Sequence, residues 1–131
     1  MNKRTLAWAS GILLMSVGLG AYGAHALELK GVAADHRAIW ETAVKYQFYH
    51  GLALLWLSTA DARLPARLVS LVRVFFVGGI LLFCGSLYLL ATRDVLGIEG
   101  LTPVLGPITP LGGALFLAGW VVLLVAALRK G

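Results

Sequence analysis

The residues most able to do chemistry lie in one stretch, Trp40 to Leu54, which reads WETAVKYQFYHGLAL. Gln47 and His50 are three residues apart and share a helix face. Glu41 and Lys45 are four apart with the acid first, the favourable order for an ion pair along a helix. An imidazole beside an amide can relay a proton or hold a ligand. The same two groups serve equally well as hydrogen-bonding glue between membrane helices, with a neutral imidazole. Which role applies depends on where the stretch sits. It is flanked upstream by Asp35 and Arg37, and from Tyr46 to Ala60 it carries no acid, Lys or Arg for fifteen residues. That is short of the roughly 20 apolar residues a membrane span needs. A helix here must therefore carry polar groups into the bilayer to cross it, and such groups usually face the interior between helices.

The rest of the chain supplies that setting. It has 131 residues, 60% of them hydrophobic and only 13% charged, against roughly 25% charged in soluble domains. Mean hydropathy is +0.87. This is the composition of a membrane protein, in a single domain. The formal charge of +5 comes from basic residues standing singly or in pairs beside apolar runs, the pattern that orients membrane proteins, so no nucleic-acid partner is expected. The single cysteine, Cys84, excludes an internal disulfide and any Cys metal motif.

Four spans are expected in an all-α, integral membrane four-helix bundle: about 6–24, 40–59, 74–92 and 110–128. MNKR, an apolar run and Ala24-His25-Ala26 resemble a secretory signal with its cleavage site. The run from Thr5 to Ala24 is twenty residues, however, which is long for a signal and right for a span, so it is expected to remain uncleaved. Ser16, Gly20 and Ala24 recur every four residues with Gly23 beside them, a spacing that lets a second helix approach closely. Asp35 is positioned to cap the second helix and Trp40 to sit at headgroup level. Pro65 suits the first turn of the third helix. Thr109-Pro110 reads as the start of the fourth, after a loop from Arg93 to Thr109.

Lys3, Arg4, Arg63, Arg67, Arg73, Arg129 and Lys130 fall on one side of this arrangement. Lys30, Arg37, Lys45 and Arg93 fall on the other. The seven-to-four bias places both termini in the cytoplasm. At a rise of about 1.5 Å per residue, Lys45 then lies about 7 Å and His50 about 15 Å below the outer surface. Ser86 and Tyr88 fall in the outer half of span three, and Thr109, Pro110, Gly112 and Gly113 at the outer start of span four. Depth bookkeeping thus predicts a polar, glycine-rich cluster in the outer half. Gln47 and His50 should point inward, bonded to Ser86, Tyr88 or the backbone around Gly20 to Ala24.

Four segments together resemble a known family: Gly20 to Leu27 (GAYGAHAL), Trp40 to Ala53, Phe83 to Tyr88 (FCGSLY) and Thr109 to Trp120 (TPLGGALFLAGW). They are similar to the bacterial proteins grouped as domain of unknown function 423, related to transmembrane protein 256 of animals. The resemblance touches all four spans in order. It implies a small inner-membrane protein of four spans, and it supplies no reaction. Carried over by motif, the residues of interest are Gly23, His25, Tyr46, Gln47, His50, Ser86, Tyr88, Pro110 and Gly112, with Gly112 taken as a packing position.

The expected role is a non-catalytic one, as a packing or accessory subunit of a membrane assembly. The expected location is the inner (plasma) membrane, with the lipid bilayer, further copies of itself or a larger complex as partners. No zinc spacing, nucleophile elbow or phosphate loop is present, and no metal or cofactor is expected. A bis-histidine haem would need two axial ligands at one depth. His25 and His50 differ by roughly 15 Å. The alternative is a small transporter or ligand-binding bundle using His25, Tyr46, Gln47, His50, Ser86 and Tyr88. Against it stands the presence of one acid, Glu41, near a span, where ion-coupled carriers place several.

Overall fold

The computed structural model describes residues 1–129, so Lys130, counted in the charge bias, lies outside the described residues. Four long helices make up most of the chain: α1 (Lys3–Leu29), α2 (Ala34–Leu57), α3 (Ala66–Ala91), and, after the single turn α4 (Arg93–Leu96), α5 (Thr102–Leu128). No strand occurs among the described residues. Three of these helices are long and apolar enough to cross a membrane: α1, α3, and α5 with the turn that leads into it. The second helix is nearly as long, at 24 residues, but Asp35, Arg37, Glu41, Lys45, Gln47 and His50 hold its hydropathy below the others.

The helices pack in sequence, α1 on α2, α2 on α3, and α3 on α5. The first pair is an antiparallel hairpin tied along its length. The Asn2 N–H donates to Ser58 O at 2.8 Å at one end, and Leu27 packs with Val32 at the other. Between them the Trp40 indole donates to Leu19 O at 2.9 Å. Gly23 makes that possible, since a Cβ there would stand 2.5 Å from the Trp40 ring. Trp40 is therefore buried between α1 and α2. Its ring also meets Tyr88 edge-on at 4.6 Å.

The α3–α5 pair is held by phenylalanines seated in glycine notches. Phe76 lies over Gly119, Phe116 over Gly79, and Phe83 against Gly112, where a Cβ would land on the Phe83 backbone nitrogen. Each rung climbs three or four residues along α3 and descends as many along α5, the step that keeps both series on one helix face. One turn of α3, Ile80–Cys84, is π-helical. The extra residue in that turn re-aims the helix beyond it, as such turns do.

Three local expectations are corrected. The fourth helix starts at Thr102, not at Thr109-Pro110; Pro107 and Pro110 lie inside it. Prolines are tolerated in membrane helices, where neighbouring groups re-satisfy the freed carbonyls, and here the earlier turn buries Leu105. Asp35 does not cap α2. Ala33 holds that position and Asp35 lies in the first turn, where its charge still complements the helix dipole. Pro65 is the residue before α3 rather than in its first turn.

Candidate functional site

Every third or fourth residue of α2 is buried: Trp40, Ala43, Gln47, His50, Leu54 and Leu57. This stripe brings two polar side chains into the interior. Gln47 is 3% exposed and both ends of its amide are used. Nε2 donates to Ile12 O of α1 at 3.2 Å, and Oε1 accepts from the Tyr88 hydroxyl of α3 at 2.6 Å. One side chain thus bridges three helices.

His50, one turn further along α2, is 5% exposed and lies flat on the Phe116 ring, with centroids 3.7 Å apart and planes 9° from parallel. The Phe76 ring meets it edge-on at 5.1 Å. Its tautomer follows from its partners. The Trp120 indole N–H can only donate, and it lies 3.0 Å from Nε2, so Nε2 accepts. The proton then resides on Nδ1, which donates to Tyr46 O at 2.9 Å. Both ring nitrogens are engaged by the protein itself, and the imidazole is neutral.

Ser86 is buried too, but its hydroxyl lies 2.6 Å from the Thr109 hydroxyl of α5 and 3.0 Å from Phe83 O. It does not reach Gln47 or His50. The expected single cluster is therefore three separate bridges: Gln47 with Ile12 and Tyr88, His50 with Trp120, and Ser86 with Thr109. No hydrogen bond joins them among the described residues. The α1 acceptor for Gln47 is Ile12, not the Gly20 to Ala24 backbone. The antiparallel register of the hairpin sets Gly23 against Trp40, which leaves Ile12 level with Gln47.

His25 is exposed on α1 and joins none of these bridges. About three and a half turns beyond the Gln47 contact at Ile12, its helix has turned that side chain away from α2. Tyr46 is 39% exposed and packs its ring 4.8 Å from Phe83, contributing its carbonyl rather than its hydroxyl to the His50 bond. Glu41 and Lys45 are exposed and form no ion pair among the described residues; an exposed pair at this spacing is worth only a few tenths of a kcal/mol, about the entropy lost in holding it. Of the packing residues, Ser16 is fully buried and back-bonds to Ile12 O at 2.8 Å. Gly20 faces Val44, and Gly23 and Gly112 sit at close contacts, whereas Ala24 is exposed.

Trp120, Phe116 and the notch glycines Gly79 and Gly119 were not singled out by residue chemistry. Their signal was available only as a pairing of α3 with α5, with Phe and Gly alternating at matching steps on both helices. A groove of about 420 Å³ opens beside His50 between α2, α3 and α5, walled by Tyr46, Phe83, Phe116, Leu117 and Trp120.

Residues 19–113 match the family described as protein of unknown function (DUF423), a segment running from the Trp40 acceptor at Leu19 to the α5 glycines that receive Phe83. The chain belongs to the DUF423 family. It is 40% identical over 117 residues to a UPF0382 membrane protein of Staphylococcus aureus, covering 88% of each chain. It is 42% identical over 116 residues to one of Staphylococcus epidermidis, again covering 88% of each. With the UPF0382 membrane protein YwdK of Bacillus subtilis it shares 38% identity over 117 residues, covering 88% of this chain and 89% of that one. No solved structure matches. With the three long apolar helices, these relatives establish a helical membrane protein.

Proposed function

We propose that this DUF423 protein is a four-span bundle of the bacterial inner (plasma) membrane, with both termini cytoplasmic. In this reading it acts without catalysis, as a packing or accessory subunit of a membrane assembly. The observation that carries the reading is the engagement of His50. An imidazole whose two nitrogens are tied to Trp120 and Tyr46 is a structural cross-link between α2 and α5, held in its neutral form. Gln47 is committed in the same way. Membrane crossing by α2 is supported by its pairing with α1 from Asn2–Ser58 to Leu27–Val32, the full length of a spanning helix. The polar groups that lower its hydropathy are turned inward at Gln47 and His50.

Single cysteines in the 58–65 turn and in the 97–101 turn, probed with an impermeant thiol reagent in intact cells on a Cys84→Ser background, test the topology. Only the second should label; labelling of the first overturns it. Crosslinking in membranes followed by purification in mild detergent tests the accessory role. A partner in fixed ratio, or a defined self-assembly, is expected, and a lone monomer overturns it.

A second reading, a small transporter or ligand-binding bundle, draws on the groove beside His50. It requires that His50→Ala abolish flux or binding while leaving thermal stability unchanged, the reverse of what a cross-link predicts.

A further inference from the structure

At the end of the molecule where α3 begins and α5 finishes, two arginines from different helices overhang one groove. Arg67 stands in the first turn of α3 and Arg129 directly follows α5. With Ser70, Leu68, Leu71 and Val74 they line a cavity of about 840 Å³. Among the described residues no carboxylate forms an ion pair with either arginine, and no acid lines the cavity. Asp61, the nearest acid in sequence, is taken by the Met1 ammonium at 2.6 Å. The groove continues along the helices. Leu68, Leu71 and Arg129 also border a second, narrower cavity of about 260 Å³ whose other wall is Val121, Val122, Val125 and Ala126.

A doubly cationic mouth that opens onto an apolar furrow running along two helices has the chemistry of one kind of molecule. We propose that this groove binds an anionic phospholipid, with its phosphodiester between Arg67 and Arg129 and an acyl chain along Leu71, Val122 and Val125. Guanidinium groups suit this task because their planar forks grip phosphate oxygens with paired hydrogen bonds. Basic pockets between helices at a membrane surface hold lipid headgroups by the same chemistry. A neutral lipid would leave two positive charges uncompensated at the furrow mouth. A free phosphate would leave the furrow unfilled. The site needs only that this end of the helices meets a membrane surface, so it stands apart from any accessory role.

The test uses purified full-length protein and native mass spectrometry in a neutral detergent, with phosphatidylglycerol and phosphatidylcholine of equal chain length as probes. Wild type should retain phosphatidylglycerol over phosphatidylcholine, and Arg67→Gln/Arg129→Gln should weaken phosphatidylglycerol by roughly tenfold or more. Lys3→Gln/Arg63→Gln, which removes the same charge from the same end but outside the groove, should leave retention near wild type. Arg67→Lys/Arg129→Lys should recover part of the loss. Equal losses in the two glutamine variants would show a general surface attraction and overturn the site, as would unchanged retention in the groove variant. Displacement of the lipid by inorganic phosphate alone would assign the arginines to a free anion instead. The arginines are exposed, so both variants should keep wild-type helicity and melting in phosphatidylcholine. A groove variant that fails this check is replaced by the two single substitutions, each of which should weaken phosphatidylglycerol severalfold; no loss in either overturns the site.

Discussion

The Trp120 indole gives its only proton to Nε2 of His50, 3.0 Å away, across seventy residues of sequence and from one helix to another. That one bond fixes the tautomer of the imidazole, joins α2 to α5 and closes the inner wall of the groove beside it.

Removing either partner should therefore act on stability. Trp120→Phe keeps most of the ring packing but leaves Nε2 without a donor. It should cost about 1 kcal/mol, the scale of interhelical hydrogen bonds in membranes. His50→Ala should cost more, since it also strips the face of Phe116 and leaves a void. Unfolding of both variants in detergent measures this, and a Trp120→Phe variant as stable as wild type would mean the bond contributes nothing.

The second expectation concerns the glycine notches. At Gly112 a methyl group would meet the backbone nitrogen of Phe83, which cannot swing aside as a side chain could. Gly112→Ala should push α5 off α3 and cost about 1–3 kcal/mol, the usual range for overpacking. Gly113→Ala is the matched control, because the nearest atom there is a Phe83 ring carbon at 3.8 Å, an ordinary contact. Gly18→Ala, with open space around it, should be neutral or slightly stabilising. Thermal melts of the three variants side by side decide it. Equal effects at Gly112 and Gly113 would show that the α3–α5 spacing is looser than the notches require.

These two cases also show what the sequence could reveal. Apolar runs between charged residues were enough to mark the four long helices, because hydrophobicity over some twenty residues is a local property. The inward turn of Gln47 and His50 was legible as well, from the cost of leaving polar groups among lipid tails. Their partners were less so. Tyr88 could be named from depth, but Trp120 was hidden because Trp in such helices is read first as an interfacial anchor. The start of α5 was misplaced because Pro107 and Pro110 look like breakers until a neighbouring helix is present. Of the pairs Gly78-Gly79 and Gly112-Gly113, only Gly79 and Gly112 take a close contact with a phenylalanine of the other helix. That choice depends on which face each helix turns toward the other, and two adjacent glycines do not announce it.

The last prediction isolates the Gln47–Tyr88 bond, which at 2.6 Å joins buried Gln47 of α2 to half-buried Tyr88 of α3. Gln47→Leu removes the acceptor and leaves the Tyr88 hydroxyl without a partner, although Ile12 O keeps the Ser16 hydroxyl. Leaving one buried polar group unsatisfied costs about 1–3 kcal/mol. Tyr88→Phe removes the donor and leaves Oε1 of Gln47 orphaned, at a similar cost. In the double variant Gln47→Leu/Tyr88→Phe neither orphan exists, so the loss should be clearly smaller than the sum of the two singles. The shortfall, about 0.5–3 kcal/mol for residues in direct contact, is the coupling between α2 and α3 through this bond. Reversible unfolding of wild type, both singles and the double in one detergent gives all four corners of the cycle. Losses that simply add would show that the two side chains stabilise the protein independently, and that Gln47 is held by Ile12 alone.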